Sequence, residues 1–255
     1  MSDGETGGGI QAQAAPAGKP AHGLISIILA TYEERENIRK SIEMIFSIIP
    51  APLEVIVVDD DSPDGTWKVV EEMADPRVVL IRRTRTRGLA SAISRGIVES
   101  RGSIVCWWDA DMPKCVERVP DMLSALQTAD VVVGSRYVEG GSDERDPVRV
   151  LTSKLLNGMA TLVLGYGIRD YDSGVVVLRR SVFDYTLPEP SGFGEYFIGF
   201  IYTCCRKGLR VVEVPYTLTE RDRGISKSSP SLLRFLRLGV SYSMAIWKAR
   251  LFPRD

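Results

Sequence analysis

Two aspartates separated by one residue, Asp109 and Asp111, are the residues of this sequence with the clearest capacity for chemistry. They end an apolar run, residues 103–108, that has the composition of a buried strand. Ligands of open α/β sheets bind beyond the carboxyl ends of the strands, and two carboxylates there are costly unless a cation pairs with them. Hard oxygen ligands suit Mg²⁺ or Mn²⁺, which usually also holds substrate phosphates. Because the pattern is short, a solvated turn after a strand is the alternative.

The aspartate pair belongs to a repeating pattern in which an apolar run ends in a polar loop. The earlier runs of this kind are residues 24–30, 53–58 and 78–81. Segments with apolar residues at helical spacing separate them, which gives a β-α-β-α-β-α-β order. This order predicts an α/β fold: a single domain with a mostly parallel central sheet and helices on both faces. Because the carboxyl ends of parallel strands share one edge, we expect Asp59 and Asp60 to join Asp109 and Asp111 there.

The second half of the chain continues the alternation less regularly. Helices are predicted at residues 116–126, 147–164 and 192–206, and strands at residues 130–134, 175–178 and 209–214. Arg149 and Ser153 are four residues apart on the second of these helices and therefore share a face. Two caps are expected earlier in the chain: Asn37 at the start of the first helix, and Gly102, in a left-handed conformation, after the third.

Several classes of function are disfavoured by what the sequence lacks. No G-x-G-x-x-G or G-x-x-x-x-G-K-[ST] pattern occurs, so neither a dinucleotide fold of the usual kind nor a P-loop is expected. The only histidine, His22, lies in a tail, which argues against histidine general-base chemistry. The four cysteines show no C-x-x-C spacing, which argues against a zinc site or a disulfide scaffold. The net charge of -1 favours no nucleic-acid partner.

The two ends of the chain differ in composition from residues 24–229, which are assigned to the folded domain. Residues 1–23 are rich in Gly, Ala, Gln and Pro, resemble no secretory signal, and are predicted to be a disordered tail. Residues 230–255 are predicted to contain an amphipathic helix with Trp247 and basic residues near its ends. Its uncharged centre is too short to span a bilayer of about 30 Å. We expect it to lie in the membrane interface, with packing on the sheet or on a partner subunit as the alternative.

The strand-ending loops, taken together, resemble the family 2 glycosyltransferases with the nucleotide-sugar (GT-A) fold. Within that family they resemble most the dolichyl- or polyprenyl-phosphate mannosyltransferases and glucosyltransferases. The motifs that carry the resemblance are Thr31-Tyr32-Glu33-Glu34, Asp59-Asp60-Asp61-Ser62, Gly88-Leu89, Asp109-Ala110-Asp111, Gly134-Ser135-Arg136-Tyr137, Asp172-Ser173-Gly174, and Arg221 with Gly224, Ser226 and Lys227. They span about residues 24–229.

This resemblance implies a site for two anionic substrates, a nucleotide-diphosphate sugar and a dolichyl or polyprenyl phosphate. The residues implied to bind the donor are Thr31, Tyr32, Glu34, Asp59, Asp60, Asp109 and Lys227. The residues implied to hold the acceptor phosphate are Arg136, Arg149 and Ser153. Asp109 and Asp111 would bind Mg²⁺ or Mn²⁺, and Asp111 and Arg221 would be catalytic, with Arg221 and Lys227 on a loop that closes over the donor.

The sequence departs from the family pattern at three places. They are Ala30 and Glu33 in the first loop, Met112-Pro113-Lys114 after the aspartate pair, and Val175-Val176 after the Ser-Gly motif. Close relatives can use a Gln as a third metal ligand where this chain has Pro113, which has no side-chain ligand.

A phosphate acceptor fits the absence of a histidine from the domain. A phosphate monoester has a second pKa near 6, so it is mostly dianionic at neutral pH and already a nucleophile. The enzyme then needs cations that place two anions together rather than a strong base. We therefore predict an inverting transfer of a hexose, most simply mannose from GDP-mannose, to dolichyl or polyprenyl phosphate. The alternatives are a hydroxyl acceptor, with Glu195 as the base, and a non-catalytic nucleotide-sugar-binding relative.

The same resemblance and the C-terminal helix predict where the protein works. We expect a cytoplasmic protein, peripheral on the cytoplasmic face of a membrane, with a membrane-anchoring partner subunit as a further contact. A loop of four arginines, Arg82, Arg83, Arg85 and Arg87, is interpreted either as a solvated face or as a lipid-headgroup site.

Overall fold

The computed structural model describes residues 23–49, 52–219 and 232–253, with side chains of the last segment from residue 239 onward. Residues 1–22 of the predicted tail therefore lie outside the described residues, as do Arg221 and Lys227 of the predicted closing loop. Over the described residues, strands and helices alternate as the sequence predicts, and the α/β class is confirmed.

A seven-stranded sheet in the order β3-β2-β1-β4-β7-β5-β8 forms the centre of the domain. Its strands are β1 (Ile25–Thr31), β2 (Leu53–Asp59), β3 (Val78–Arg82), β4 (Ile104–Trp107), β5 (Val131–Ser135), β7 (Val176–Arg179) and β8 (Val211–Pro215). Two short strands, β6 (Ser142–Asp143) and β9 (Thr217–Leu218), form a separate parallel pair. All neighbours in the large sheet are parallel except β7, which runs antiparallel to both β4 and β5.

Helices cover both faces of the sheet. They are α1 (Ile38–Ile48), α2 (Thr66–Glu71), α3 (Leu89–Glu99), α4 (Pro113–Val116), α5 (Val119–Ala125), α6 (Pro147–Leu164), α7 (Tyr196–Arg206) and α8 (Leu232–Leu251), with a 3-10 helix at Arg180–Asp184. The first apolar layer, with α1, α4 and α5, contains Ile27, and the second, with α3, α6, α7 and α8, contains Ile28. Successive residues of β1 thus enter opposite layers, as expected for a strand buried on both faces.

The antiparallel direction of β7 matters for the position of the site. Because it runs against its neighbours, β7 enters the sheet at the edge where β4 and β5 leave it. Residues 170–175, which precede β7, therefore lie beside the loops that follow β4 and β5. The apolar run at residues 175–178 predicted this strand but carried no information about its direction.

A polar group of four residues, which we call the basal cluster, closes the opposite edge of the sheet. It consists of Ser26, Glu54, Arg101 and Gly102. The Glu54 carboxylate accepts hydrogen bonds from Ser26 Oγ at 2.7 Å and from Arg101 N, Nε and Nη2 at 2.7–2.8 Å. Gly102 N donates to Ser26 Oγ at 2.7 Å. Although burial alone would raise the pKa of Glu54, these contacts outweigh it and lower that pKa. The basal cluster thus joins β1 and β2 to the turn before β4.

The two predicted caps are wrong. Asn37 occupies the N-cap position of α1 but makes no capping bond, since its backbone is already helical, with φ -103° and ψ -37°, rather than extended. Its Nδ2 donates to Glu34 Oε2 at 2.9 Å. Helix α3 ends at Ser100 in an extended conformation, and Gly102 does not have a positive φ. A side chain at Gly102 is excluded for another reason: its Cβ would lie 2.5 Å from the carbonyl oxygen of Leu24.

Helix α8 is present where the sequence predicts it and has two distinct faces. Val240, Met244 and Trp247 are exposed on one face, whereas Ile246 is fully buried on the other and joins the second apolar layer. Through that inner face α8 packs against α6 and α7. Within the three described ranges, no helix combines the length and the apolar character needed to cross a bilayer.

Candidate active site

The aspartate pair lies where the sequence predicts it, at the end of β4. The strand and Trp108 are buried, whereas Asp109 is exposed and Asp111 is half-exposed. The turn between them is fixed by its backbone: the carbonyl of Ala110 accepts a hydrogen bond from Ser41 Oγ on α1, and Met112 N donates to Asp109 O at 3.1 Å. The two carboxylates therefore lie at the sheet edge on a turn that hydrogen bonds join to α1 and close on itself.

Three residues predicted to bind the donor are buried and hold the loops after β1 and β2 together. Asp59 is fully buried and accepts hydrogen bonds from Thr31 Oγ1 at 2.8 Å and from Ser62 N and Oγ at 2.9 and 2.6 Å. Glu34 is 6% exposed, and its backbone N donates to Thr66 Oγ1 at 2.9 Å. The described hydrogen bonds of Thr31, Glu34 and Asp59 thus connect the two loops below the surface of the sheet edge. Direct contact of these residues with a donor stays a prediction.

Asp60 anchors the arginine-rich loop to the same edge. Its Oδ1 accepts from Arg83 Nε at 2.6 Å and its Oδ2 from Gly88 N at 2.7 Å. Arg83 also donates to Ser91 Oγ at 3.0 Å, and its side chain is only 10% exposed. Both interpretations of the arginine run are therefore wrong for Arg83, which faces neither solvent nor lipid. Sequence reasoning missed this pair because its members are 23 residues apart and no local pattern links them.

Tyr32, in the loop after β1, and Arg87, in the loop after β3, form an accessible surface at this edge of the sheet. The Arg87 guanidinium lies 5.1 Å from the centroid of the Tyr32 ring, and its Nη1 is 3.4 Å from the Tyr32 hydroxyl. Tyr32 is half-buried and belongs to none of the core clusters. An aromatic ring beside a cation is a surface on which a planar, anionic molecule such as a nucleotide can stack.

Arg136, predicted to hold the acceptor phosphate, has carboxylate partners instead. Its Nε and Nη2 donate to the two oxygens of Asp170 at 2.8 and 2.6 Å, and its backbone N donates to Asp170 at 2.9 Å. The arginine is 4% exposed and the aspartate fully buried. Burial alone would lower the pKa of Arg136, but the charge and hydrogen bonds of Asp170 outweigh it and raise that pKa. The geometry therefore makes Arg136 a buried structural residue and speaks against direct phosphate binding.

Arg149 and Ser153 lie on the first two turns of α6, as predicted. Asp146 caps this helix by accepting hydrogen bonds from Val148 N at 3.0 Å and Arg149 N at 3.4 Å. Arg149 is half-exposed and Ser153 is buried against the domain. The opposite face of α6 is apolar and exposed, and it consists of Val148, Leu151, Leu155 and Leu162. Helix α6 thus carries a polar face and an exposed apolar face along the same turns.

Two tyrosines, Tyr196 and Tyr242, come within electrostatic reach of Asp109. Burial raises the pKa of Tyr196, and the neighbouring charge of Asp109 adds to this shift. Burial also raises the pKa of Asp172 to about 6, against the opposing effect of Arg136. Tyr242 of α8 lies within electrostatic reach of both Asp109 and Asp172. The sequence did not single out the tyrosines, which lie in apolar helical segments that resemble core.

The aspartate pair fits a hard divalent cation if oxygen atoms of the substrate complete the coordination shell of the metal ion. In the parts of the chain that the structure describes, no three His, Cys, Asp or Glu side chains are grouped to hold a metal ion. Mg²⁺ typically binds one or two carboxylates, waters and substrate phosphates rather than a cage made wholly of protein ligands. Two accessible carboxylates at the sheet edge match that donor set.

Residues 26–187 match the family described as Glycosyl transferase family 2. The chain belongs to this family. This family 2 glycosyltransferase has its aspartate pair, the Arg83–Asp60 pair and the Arg136–Asp170 pair all within the matched residues. The resemblance and the enzyme class inferred from the sequence motifs are therefore confirmed.

Relatives of this glycosyltransferase include proteins named for dolichol phosphate and for a polyprenol. The dolichol-phosphate mannosyltransferase of Pyrococcus furiosus is 38% identical over 227 residues, which cover 84% of this chain and 62% of that protein. This chain thus spans less than two thirds of the length of that relative. The polyprenol monophosphomannose synthase of Mycolicibacterium smegmatis is 36% identical, with 88% of this chain and 86% of that protein covered.

Solved structures support the fold. The glucosyl-3-phosphoglycerate synthase of Mycobacterium tuberculosis, solved with Mn²⁺, uridine diphosphate and glucosyl-3-phosphoglycerate, superposes with a TM-score of 0.69 at 19% identity. The match covers 91% of this chain and 82% of that one. The GT-A architecture predicted from the sequence is thereby confirmed.

Proposed function

We propose that this glycosyltransferase transfers mannose from GDP-mannose to a dolichyl or polyprenyl phosphate with inversion at the anomeric carbon. Support comes from the names of its relatives, which include an undecaprenyl-phosphate mannosyltransferase of Micrococcus luteus that is 33% identical over 215 residues. That match covers 81% of this chain and 88% of that protein.

The observation that carries the proposal is the two-faced character of α6. An acceptor of this class has a phosphate at one end and a hydrocarbon chain at the other, so it needs a cationic and an apolar surface side by side. Arg149 and Ser153 lie on the polar side of α6, and Leu155, two residues beyond Ser153, is 67% exposed on the other. Between α6 and α8 an apolar groove of about 840 Å³ continues that exposed surface.

We assign donor binding to residues in the loops after β1, β3 and β4. Tyr32 and Arg87 would bind the nucleotide by stacking and charge, on a surface that Asp60 and Arg83 hold in place. Asp109 and Asp111 would hold Mg²⁺ or Mn²⁺, which when bound would offset the negative charge of the donor diphosphate. Arg221 and Lys227, which lie outside the described residues, would close over the donor.

The acceptor phosphate needs no base because it is mostly dianionic at neutral pH. Arg149 and Ser153 would hold it so that one oxygen faces the anomeric carbon from the side opposite the nucleotide diphosphate. Positioning two anions in this way supplies much of the rate, since the reaction becomes effectively intramolecular. A hydroxyl acceptor would instead need Glu195 as a base, and that carboxylate already accepts hydrogen bonds from Phe193 N and Ser241 Oγ, each at 3.0 Å.

The exposed apolar faces of α6 and α8 would place the enzyme on a membrane surface, where polyprenyl phosphates are embedded, and we propose that this surface is the cytoplasmic face. Trp247 and Lys248 lie at the outer side of α8 and suit the interface, in which amphipathic aromatic rings and basic side chains are favourable. An apolar helix of a membrane-anchoring partner subunit is the second occupant that would fit this surface.

A radiolabel assay tests the proposed function. Purified protein is incubated with labelled GDP-mannose or UDP-glucose, Mg²⁺ and dolichyl phosphate, and the lipid product is extracted and counted. We expect label in the lipid phase with GDP-mannose. No lipid product with either donor, while a sugar or protein hydroxyl becomes labelled, would contradict the lipid-phosphate acceptor.

Two protein variants, measured in the same assay, distinguish a phosphate acceptor from a hydroxyl acceptor. Losing a charge-assisted contact of about 1.5–3 kcal/mol predicts that Arg149→Ala raises the apparent KM for dolichyl phosphate about ten- to a hundred-fold. The KM for the nucleotide sugar should change little. Glu195→Gln should have a much smaller effect, and a reversed ranking would favour the hydroxyl acceptor.

A further inference from the structure

A cavity of about 890 Å³, which we call the lateral cavity, lies between α6 and the loop after β5. Its walls are α6 between Lys154 and Leu162, residues 136–143 after β5, and Arg169 in the segment after α6. Among the described residues that line it, neither Arg149 nor Ser153 occurs, although both are proposed to hold the acceptor phosphate. The lateral cavity is therefore separate from the proposed acceptor site, and no substrate of the transfer reaction is assigned to it.

The charged side chains that line the lateral cavity leave a positive balance. Asp143 is one of them, but its side chain is only 1% exposed and accepts hydrogen bonds from Arg145 Nε and Nη2 at 2.8 and 2.6 Å. Arg136 is likewise paired with a buried carboxylate. Lys154 and Arg169 are exposed, and within the described ranges neither forms an ion pair. Two cationic side chains thus remain available to an anion, and both types bind phosphate oxygens well.

The α6 wall of the lateral cavity contains an amide oxygen without a partner. Asn157 lines the cavity and is 2% exposed, and its Nδ2 donates to the backbone carbonyl of Ser153 at 3.0 Å. Because only the nitrogen of an amide can donate, this bond fixes the orientation of the amide and directs Oδ1 away from the carbonyl of Ser153. Within the described residues, Oδ1 has no hydrogen-bond partner. A buried acceptor of this kind is costly unless a donor reaches it.

The charges and the unpaired oxygen together define the chemistry of a ligand for the lateral cavity. The two cations suit a phosphate group, whereas Asn157 Oδ1 needs a hydrogen-bond donor. A phosphate diester has no proton to donate at neutral pH, so the donor must be a hydroxyl group of the same molecule. Leu162 lines the cavity, is 86% exposed, and belongs to the apolar face of α6 that is proposed to contact a membrane. The lateral cavity thus borders a surface suited to lipid.

We propose that the lateral cavity binds the head group of an anionic phospholipid that carries a hydroxyl group. Lys154 and Arg169 would contact its phosphate, and Asn157 Oδ1 would accept a hydrogen bond from its hydroxyl. A soluble phosphate ester of a polyol shares this chemistry, and one arm of the experiment distinguishes the two sources. The inference does not depend on which sugar or acceptor the transfer reaction uses.

Sedimentation of the full chain with vesicles tests the ligand. Vesicles of phosphatidylcholine contain one fifth of either phosphatidylglycerol, whose head group has hydroxyl groups, or phosphatidylmethanol, which has the same charge and none. We expect wild type to bind the phosphatidylglycerol vesicles about two- to ten-fold more tightly, as one hydrogen bond predicts. Asn157→Leu should abolish this preference. Lys154→Ala/Arg169→Ala should weaken binding to both kinds of vesicle about thirty-fold, as two cations near an anionic surface predict.

Two further variants separate loss of the ligand from damage to the fold and from a change in net charge. Gly158 lines the lateral cavity, and an added Cβ there would meet nothing within 4 Å. Gly158→Leu should therefore fill the cavity and abolish the preference, while the melting temperature stays constant or rises because leucine is the better helix former. Arg39→Ala/Lys40→Ala removes the same charge at exposed positions of α1, on the other face of the sheet, and should bind as wild type.

Several outcomes would overturn the inference. One is equal binding of wild type to the two anionic vesicles, and another is a preference for phosphatidylglycerol that persists in Asn157→Leu or Gly158→Leu. An equal loss in Arg39→Ala/Lys40→Ala would show that only net charge matters. Calorimetry with soluble glycerol 1-phosphate covers the other source: binding that Asn157→Leu abolishes, without any preference among vesicles, would overturn the lipid as occupant and assign the lateral cavity to a soluble phosphate ester.

Discussion

The buried pair between Arg136 and Asp170 leads to a quantitative prediction about stability. In Asp170→Asn the guanidinium keeps its buried position but loses its bidentate carboxylate partner. The carboxylates of Asp143 and Asp172 approach it no closer than 3.7 Å, and the backbone carbonyl of Asp172 accepts from it at 3.2 Å. Breaking a buried pair by removing one charge costs about 3–5 kcal/mol. For a domain of this size 1 kcal/mol corresponds to about 2–4 °C, so we expect the melting temperature to fall by about 6–20 °C.

The same chain offers a matched control in an exposed pair. Arg95 and Glu99 also form a short ion pair, at 3.0 Å, but their side chains are 49% and 42% exposed, against 3% and 0% for Arg136 and Asp170. Exposed helical pairs of this spacing contribute about 0.3–0.5 kcal/mol. Glu99→Gln should therefore leave the unfolding free energy nearly unchanged.

Urea denaturation followed by circular dichroism measures both variants. If Asp170→Asn lost no more free energy of unfolding than Glu99→Gln, the argument from burial would be refuted. Should Asp170→Asn fail to fold, Arg136→Met/Asp170→Leu replaces both charges with apolar groups and should recover part of the stability. Strong acceptor-specific loss in that folded double variant would restore Arg136 as a phosphate ligand.

Substitutions at the aspartate pair, at Asp172 and on the outer face of α8 test three other parts of the protein. Asp111→Asn should abolish turnover while the melting temperature stays close to wild type, and full activity of EDTA-treated wild type would refute the metal assignment. Because burial raises the pKa of Asp172 from 3.8 to about 6, the folded state holds this proton more tightly than the unfolded chain. The stability of wild type relative to Asp172→Asn should therefore fall as the pH rises from about 4 to about 6 and level off above; a pH-independent difference in unfolding free energy would contradict this. Met244→Glu/Leu251→Glu should weaken sedimentation with liposomes at least ten-fold, because both side chains are more than 60% exposed on α8, whereas Val98→Glu, at an exposed valine of α3, should not.

These glutamate variants test membrane contact better than deletion of the helix. The inner face of α8 carries Tyr242 and the fully buried Ile246, so removal of residues 231–255 would expose part of the core as well as remove the outer face. Loss of liposome binding in the deletion would then have two explanations. Substitution of Met244 and Leu251 leaves the inner packing in place.

Much of the fold could be predicted because its signals are local. The apolar runs that become β1, β2 and β4 have few polar interruptions, and the periodic spacing in α6 gives its bounds, Pro147–Leu164, as the structure has them. Asp109 and Asp111 were placed correctly for the same reason, since they follow directly on a buried strand. When a strand or helix can be predicted, the positions of the residues directly next to it can be predicted as well.

The features that the sequence did not reveal depend on partners far along the chain. Arg136 and Asp170 are 34 residues apart, and nothing near Arg136 indicates that its charge is compensated. Tyr242 comes within electrostatic reach of Asp109, which lies more than a hundred residues earlier in the chain. Its helix was predicted either to lie in the membrane interface or to pack on protein. The capping expected of Asn37 failed because the loop before α1 gives this residue a helical backbone instead of the extended one that a cap needs. Long-range pairing of this kind is decided by the packing of elements.

The basal cluster has a consequence for how the activity of such an enzyme can change. It lies at the amino-terminal ends of β1 and β2, and a seven-residue strand such as β1 is about 23 Å long. Side chains of the loops around Asp109 therefore cannot reach the hydrogen bonds that Glu54 accepts from Ser26 and Arg101. The catalytic edge can vary in sequence, and in the substrates it selects, while the opposite edge keeps the strands in register.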